Sequence, residues 1–128
     1  MRLLIDSNRY TDFDAGVPEV TERFGRVEEL WFSVVVMGEL RAGFTFGSRQ
    51  RENEENLDKF LYRPNVTVLK IDEETTDHYA HIYSILRRQG ALIPTNDMWI
   101  AAQARQHDLT LDTRDDHFKR VPGLKLFQ

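Results

Sequence analysis

The chain has no cysteine among its 128 residues. Disulfide scaffolds and thiolate metal sites are therefore excluded, and a thiol-free chain goes with the expectation of a cytoplasmic protein. No apolar run approaches the roughly 20 residues of a membrane-spanning helix. The opening Met1-Arg2-Leu3-Leu4-Ile5-Asp6 is too short in apolar residues for a secretory signal, so no membrane association is expected. Excess positive charge is also missing: 17 Lys and Arg face 21 Asp and Glu, for a net charge of −4 and a pI near 5.5. Nucleic-acid-binding domains are usually basic. Two features temper that objection. Bound divalent cations reverse the sign of a local field. The basic residues are also grouped, with Arg41, Arg49 and Arg51, then Arg87 and Arg88, then Arg114, Lys119 and Arg120. An acidic body also suits a basic partner segment. Repeats, low-complexity tracts and linkers are absent, so residues 1–128 are read as a single domain with one core.

What is present is an alternation of apolar strand-like runs with helix-like stretches, which argues for an α/β fold with a mostly parallel sheet of four to five strands. Residues 2–5 read as the first strand. Residues 7–26 read as helical with a break near Gly16-Val17-Pro18, where Pro18 suits the first turn of a second helix. Residues 31–36 read as a second strand, buried on both faces. Helices are expected over 37–46 and 48–62, a strand around Val66–Leu69, and a long helix over 72–89 closed by Gly90. A helix over 96–107 would take Thr95 as its N-cap. Leu109–Leu111 reads as a fourth strand, and Lys125–Phe127 as a short last one.

Four acids stand just past these apolar runs or in the first turn of a helix. Asp6 follows Leu3-Leu4-Ile5, and Glu39 comes after Val34-Val35-Val36. Asp97 opens a helical stretch, and Asp115 follows Leu109-Thr110-Leu111. In an open parallel sheet the carboxyl ends of the strands share one edge, where ligands bind. Acids spread in this way along the chain can be far apart in sequence and close in space. Gathered carboxylates repel unless a cation or a proton compensates, and carboxylates without thiols suit hard cations such as Mg²⁺ or Mn²⁺. Each acid alone has a simpler explanation, since a first-turn acid gains about 0.3–1 kcal/mol from the helix dipole. The order of apolar run, acid and helix shifts the balance towards a site. On pattern alone it also fits a phosphatase or a phosphoacceptor domain, although Asp6-Ser7-Asn8 offers no second acid two residues on.

Four segments carry a resemblance: Leu4-Ile5-Asp6-Ser7-Asn8, Met37-Gly38-Glu39-Leu40-Arg41-Ala42-Gly43, the stretch Ile93 to Ala102 around Asp97, and Thr113-Arg114-Asp115-Asp116-His117-Phe118. In this order they resemble PIN-domain ribonucleases of the VapC toxin type, from VapBC toxin–antitoxin pairs. The resemblance implies an α/β/α sandwich with a central parallel sheet. It implies a catalytic pocket of Asp6, Glu39, Asp97 and Asp115, and Mg²⁺- or Mn²⁺-dependent cleavage of RNA. It also implies homodimerisation and inhibition by a VapB-like antitoxin, in heterotetramers or hetero-octamers that meet DNA only through the antitoxin. Asp6, Asp97 and Asp115 are the expected ligands of one or two ions, and Glu39 ligates metal or orients the nucleophilic water. Ser7 stands where threonine is commoner in the family, with the hydroxyl retained. The family pattern selects Asp115 over the adjacent Asp116 as the fourth acid. Asp112, where the family usually has an apolar residue, either adds a carboxylate near the site or points to solvent; strand alternation favours solvent.

Around the acids, Ser7, Asn8, Thr95, Asn96, Thr113 and Asp116 are candidates for hydrogen-bonding support or substrate contact. For Thr95 and Asn96, capping accounts equally well. Arg41 and Arg114 are candidate phosphate contacts, with pairing to an acid as the alternative for Arg41. His78, His81, His107 and His117 show no zinc-ligand spacing, and His117-Phe118 reads as an anchor for the last helix. Trp31 and Trp99 read as core or interface residues. Leu40, Phe44, Phe46, Leu57, Phe60 and Leu61 offer an apolar groove for an antitoxin, or simply pack two helices together. Two other roles stay open: a PIN nuclease in RNA processing without an antitoxin, and a catalytically weak PIN module in a DNA-binding repressor complex.

Overall fold

A computed structural model describes all residues from 1 to 128. Strand β1 (Arg2–Ile5) is followed by helices α1 (Ser7–Asp14) and α2 (Pro18–Arg26), then β2 (Glu29–Ser33). Helices α3 (Val34–Phe44) and α4 (Gln50–Leu61) lead to β3 (Val66–Leu69), and α5 (Glu73–Arg88) and α6 (Thr95–Gln106) to β4 (Thr110–Asp112). A 3₁₀ helix (Asp116–Arg120) and β5 (Lys125–Leu126) complete the chain. All five strands are parallel, in the order β3-β2-β1-β4-β5. The chain builds outward from β1 to one side, then crosses to the other. The switch point lies between β1 and β4, which pair as Leu3 with Thr110, Leu4 with Leu111 and Ile5 with Asp112. A crevice at the carboxyl ends of these two strands is the expected ligand site of such a sheet.

Both faces of the sheet are covered, as the unbroken burial of Leu3, Leu4 and Ile5 requires. Neighbouring residues of β2 report the two layers. Phe32 meets Tyr10 of α1 (ring centroids 5.8 Å apart) and Phe60 of α4 (5.7 Å). Trp31, on the opposite side by alternation, stacks over His107 at the end of α6, at 5.9 Å. Phe60 is the hub of an aromatic cluster with Tyr10, Phe13, Phe24 and Phe32. Leu40, also buried, keeps an edge on a cleft, while Leu57 and Phe60 are therefore core residues and not the walls of an open groove. Of the six residues expected to line one, Phe44 and Leu61 are half-buried and Phe46 is exposed. Trp99 stacks on Tyr79 at 4.1 Å, joining α6 to α5.

Three local expectations are corrected. The second strand ends at Ser33, and Val34-Val35-Val36 is the first turn of α3. The Ser33 side chain accepts a hydrogen bond from Val35 N at 3.0 Å, and this N-cap overrides the strand preference of three β-branched residues. Thr95 is the first residue of α6 and Pro94 holds the cap position, without a side-chain cap. Asp112 does not face solvent: it is fully buried. Its Oδ2 accepts from Arg23 Nε at 2.7 Å, and its Oδ1 accepts from Arg9 Nε at 3.1 Å. Two guanidinium groups supply the compensation that a buried carboxylate needs. Elsewhere the expected boundaries hold to within two residues: Pro18 opens α2, and Gly90 follows α5 at φ +64°, the left-handed conformation that glycine accepts without strain.

Candidate functional site

The site is assembled from four separate places in the fold. Asp6 leaves the end of β1 and is the N-cap of α1, its Oδ1 accepting from Ser7 N at 2.8 Å. Its backbone N–H donates to Asp112 O at 3.0 Å, extending the β1–β4 ladder by one step. Thr113, just past β4, donates from Oγ1 to Asp6 Oδ2 at 2.6 Å and accepts from Asp115 N at 3.0 Å. Asn8 braces the same corner. Its Nδ2 donates to Asp6 Oδ2 at 3.3 Å, and its Oδ1 accepts from Arg114 N at 3.1 Å. Glu39 arrives from the middle of α3, because that helix starts at Val34. Asp97 comes from the first turn of α6, where the positive end of the helix dipole favours a carboxylate.

The four acids meet. Burial raises the pKa of Asp6, and the nearby Asp97 and Asp115 raise it further, against the lowering effect of the hydrogen bonds from Thr113 and Ser7. Burial also raises Glu39, followed by the charges of Asp6 and Asp97, with a smaller contribution from Asp115; the Asn96 amide offsets part of this. Asp97 is raised by burial, opposed by His117 and reinforced by Asp115. Every pair among the four acids thus repels. Asp6 is 1% exposed and Asp97 8%. Glu39 Oε1 is buried with no hydrogen-bond partner, a costly arrangement unless something else completes it. Ser7, Asn8, Thr11, Glu39, Leu40, Gly43, Phe44, Arg114 and Asp115 line a cleft of about 510 Å³.

The donors fit a divalent cation. Asp97, Asp115 and His117 each offer a ligand atom, all within 4.8 Å of one another. His117, read from the sequence as an anchor, instead places Nε2 at 2.5 Å from Asp97 Oδ2. The signal that could have found it is its position two residues past Asp115, at the start of a turn. The remaining candidates separate. Arg41 bridges α3 to α4, with Glu54 at 3.3 Å and Asp58 at 3.6 Å, which is the acid-pairing alternative. Asp116 is exposed and pairs with Lys119, also exposed. Arg114 lines the cleft while paired to Asp12 at 3.1 Å. It ends an alternating chain of charges, Arg23–Asp112–Arg9–Asp12–Arg114, that runs from the interior to the rim. His81 lies 3.5 Å from Arg105 and belongs to no metal-binding group.

A family model described as PIN domain matches residues 12–124, a stretch that includes three of the four acids. Ribonuclease VapC4 of Mycobacterium tuberculosis is 32% identical over 94 residues, spanning 73% of this chain and 72% of that protein. The plasmid stability protein StbB of Pseudomonas syringae pv. tomato is 37% identical over 104 residues, spanning 78% and 75%. Among solved structures, the chain superposes on VapBC2 from Rickettsia felis, bound to a DNA fragment from their promoter, with a TM-score of 0.89 at 24% identity, covering 99% of this chain and 98% of that one. It superposes on FitAcB from Neisseria gonorrhoeae with a TM-score of 0.80 at 27% identity, covering 98% and 96%.

Proposed function

The chain belongs to the PIN-domain family, and from that premise we propose that it is the toxin of a type II toxin–antitoxin pair: an endoribonuclease that cleaves structured RNA, tRNA or rRNA, with Mg²⁺ or Mn²⁺. The observation that carries this reading is the convergence of Asp6, Glu39, Asp97 and Asp115 at the sheet's switch point, every pair repelling and one buried Glu39 oxygen unpartnered. Such a cluster needs a cation or a proton to compensate it, and a divalent cation does so while leaving the carboxylates charged.

Asp6, Asp97 and Asp115 would hold the cation, one ion or two. A bound divalent cation supplies positive charge against the phosphate oxygens and makes a neighbouring water more acidic. Glu39, raised by burial and by its acidic neighbours, is a stronger base than a free carboxylate. It orients the attacking water and takes its proton. Thr113, Asn8 and Ser7 fix the Asp6 carboxylate through the bonds described above, so that its oxygens stay aimed. Arg114 at the cleft rim contacts a phosphate of the substrate strand, exchanging its bond to Asp12 for one to RNA.

The partner is a VapB-like antitoxin. Several of the fold's solved neighbours are toxin–antitoxin complexes by their descriptions. An acidic cleft attracts an arginine or lysine of the inhibitor, and Phe44 on the cleft wall with Phe46 beyond the end of α3 gives the inhibitor apolar surface beside it. The protein acts as a homodimer within a heterotetramer or hetero-octamer, and reaches DNA only through the antitoxin.

The test is cleavage of total cellular RNA by the purified protein with Mn²⁺, with Mg²⁺ and with EDTA, beside Asp6→Ala. Discrete fragments that need metal and vanish in the variant are expected, and their mapped ends identify the target. Equal cleavage by Asp6→Ala and the wild type overturns the reading.

A further inference from the structure

We infer that His117 is a metal ligand, so that the site is a mixed histidine–carboxylate centre that binds Mn²⁺ in preference to Mg²⁺. The inference deepens the proposal above: it rests on the site's being a cation site, and not on RNA's being the substrate.

The geometry comes from two stretches of chain. Asp97 sits in the first turn of α6, and Asp115 and His117 flank the start of the 3₁₀ helix. Their ligand atoms lie within 4.8 Å of one another. Donors about 2.0–2.2 Å from one ion lie up to about 4.4 Å apart, so side-chain shifts of a few tenths of an ångström bring all three onto one ion. The His117 ring is partly buried, tilted against Phe118 at a centroid distance of 5.0 Å, and aimed into the acids and not at solvent. Phe118 is fully buried, which anchors the turn and sets the direction of the ring. Nε2 already stands at 2.5 Å from Asp97 Oδ2. At that distance a proton lies between Nε2 and the carboxylate; a cation would displace this proton to solvent and take the Nε2 lone pair, for which the ring is already turned towards the acids.

Selectivity follows from the donor type. Mg²⁺ takes oxygen ligands, keeps several waters and dehydrates reluctantly. Imidazole nitrogen suits first-row transition metals, and Mn²⁺ also accepts carboxylate and water. An all-carboxylate site would discriminate weakly between the two ions. One nitrogen donor tilts it towards Mn²⁺.

The test needs only metal. Pulsed electron paramagnetic resonance of Mn²⁺ bound to the wild-type protein should show the modulation of a directly coordinated ¹⁴N. Titrations with Mn²⁺ and with Mg²⁺, each against wild type and His117→Asn, should show Mn²⁺ affinity falling at least tenfold while Mg²⁺ affinity changes less than threefold. Bound Mn²⁺ in the wild type without nitrogen modulation overturns the inference, as does an equal loss of affinity for both ions. The wild-type spectrum decides even if the variant folds poorly. Nitrogen coordination without RNA cleavage leaves this inference standing and removes the ribonuclease reading; metal-dependent cleavage without nitrogen coordination does the reverse.

Discussion

Thr113 Oγ1 and Asp6 Oδ2, 107 residues apart in sequence, lie 2.6 Å apart across the ends of β4 and β1. The hydroxyl donates to the carboxylate and so favours its charged form. Thr113→Val removes this donor. Asp6 then titrates at higher pH, because one of the two largest effects opposing its burial is gone. The acid limb of the pH–activity profile should move to higher pH. Stability at neutral pH should fall by about 1.5–3 kcal/mol, the usual worth of a hydrogen bond to a charged group. Thermal unfolding and a pH–rate profile check the two effects separately.

Metal-free stability should fall as pH rises. Asp6, Glu39 and Asp97 all have folded-state pKa values above their ordinary ones. For such acids the folded state holds its protons longer than the unfolded chain does. Their contribution is fully present below the ordinary carboxylate range and is lost as pH rises through the raised values. With EDTA, Glu39→Gln should therefore unfold at higher temperature than the wild type near pH 7.5, with the gap closing by pH 4. Calorimetry at the two pH values is the check; a gap that is constant with pH would be contrary.

Adding a divalent cation should reverse that balance. Binding to the folded state alone stabilises by RT ln(1 + [L]/Kd), about 2.7 kcal/mol at a hundredfold excess over Kd. Asp97→Asn should lose most of this gain and slow RNA cleavage by on the order of 10²-fold or more, since even residues that merely support a ligand cost 10–100-fold. Its circular dichroism spectrum should match the wild type.

Asp112→Ala should be among the most destabilising single substitutions outside the apolar core. It leaves Arg9 and Arg23 without their shared buried carboxylate, and breaking a buried ion pair from one side costs about 3–5 kcal/mol. A denaturant midpoint well below that of the wild type, with an unchanged slope, is the expected result.

Arg114→Ala should weaken RNA binding by a similar factor across different sequences. It should also lower the slope of log affinity against log salt by about 1, the signature of one lost phosphate contact. Filter binding of the Asp97→Asn background at several salt concentrations isolates affinity from cleavage.

The alternation of elements and the four acids were legible because each rests on a local signal: an apolar run, a proline, an acid at a strand or helix end. What was not legible depends on partners distant in the chain. Val34-Val35-Val36 has strand-like composition, and only the Ser33 cap turns it into helix. Asp112 obeys strand alternation, yet the face it points to is not solvent, because Arg23, 89 residues earlier, lies beneath it. His117 carries no spacing signal towards Asp97, since the 3₁₀ turn and the α6 N-terminus meet only through the fold. Arg41 shares its neighbourhood with a site residue but faces α4, where Glu54 and Asp58 take its charge.

The insertion of β4 beside β1 has a consequence for biosynthesis. Asp6 is made first, but Thr113 and Asp115, which complete its surroundings, come after residue 110 in the order of translation. A nascent chain halted anywhere before β4 lacks the strand that forms one side of the switch point, and with it half of the crevice. The crevice therefore assembles only after β4 has been translated, and on the function proposed above a chain halted earlier should show no RNA cleavage.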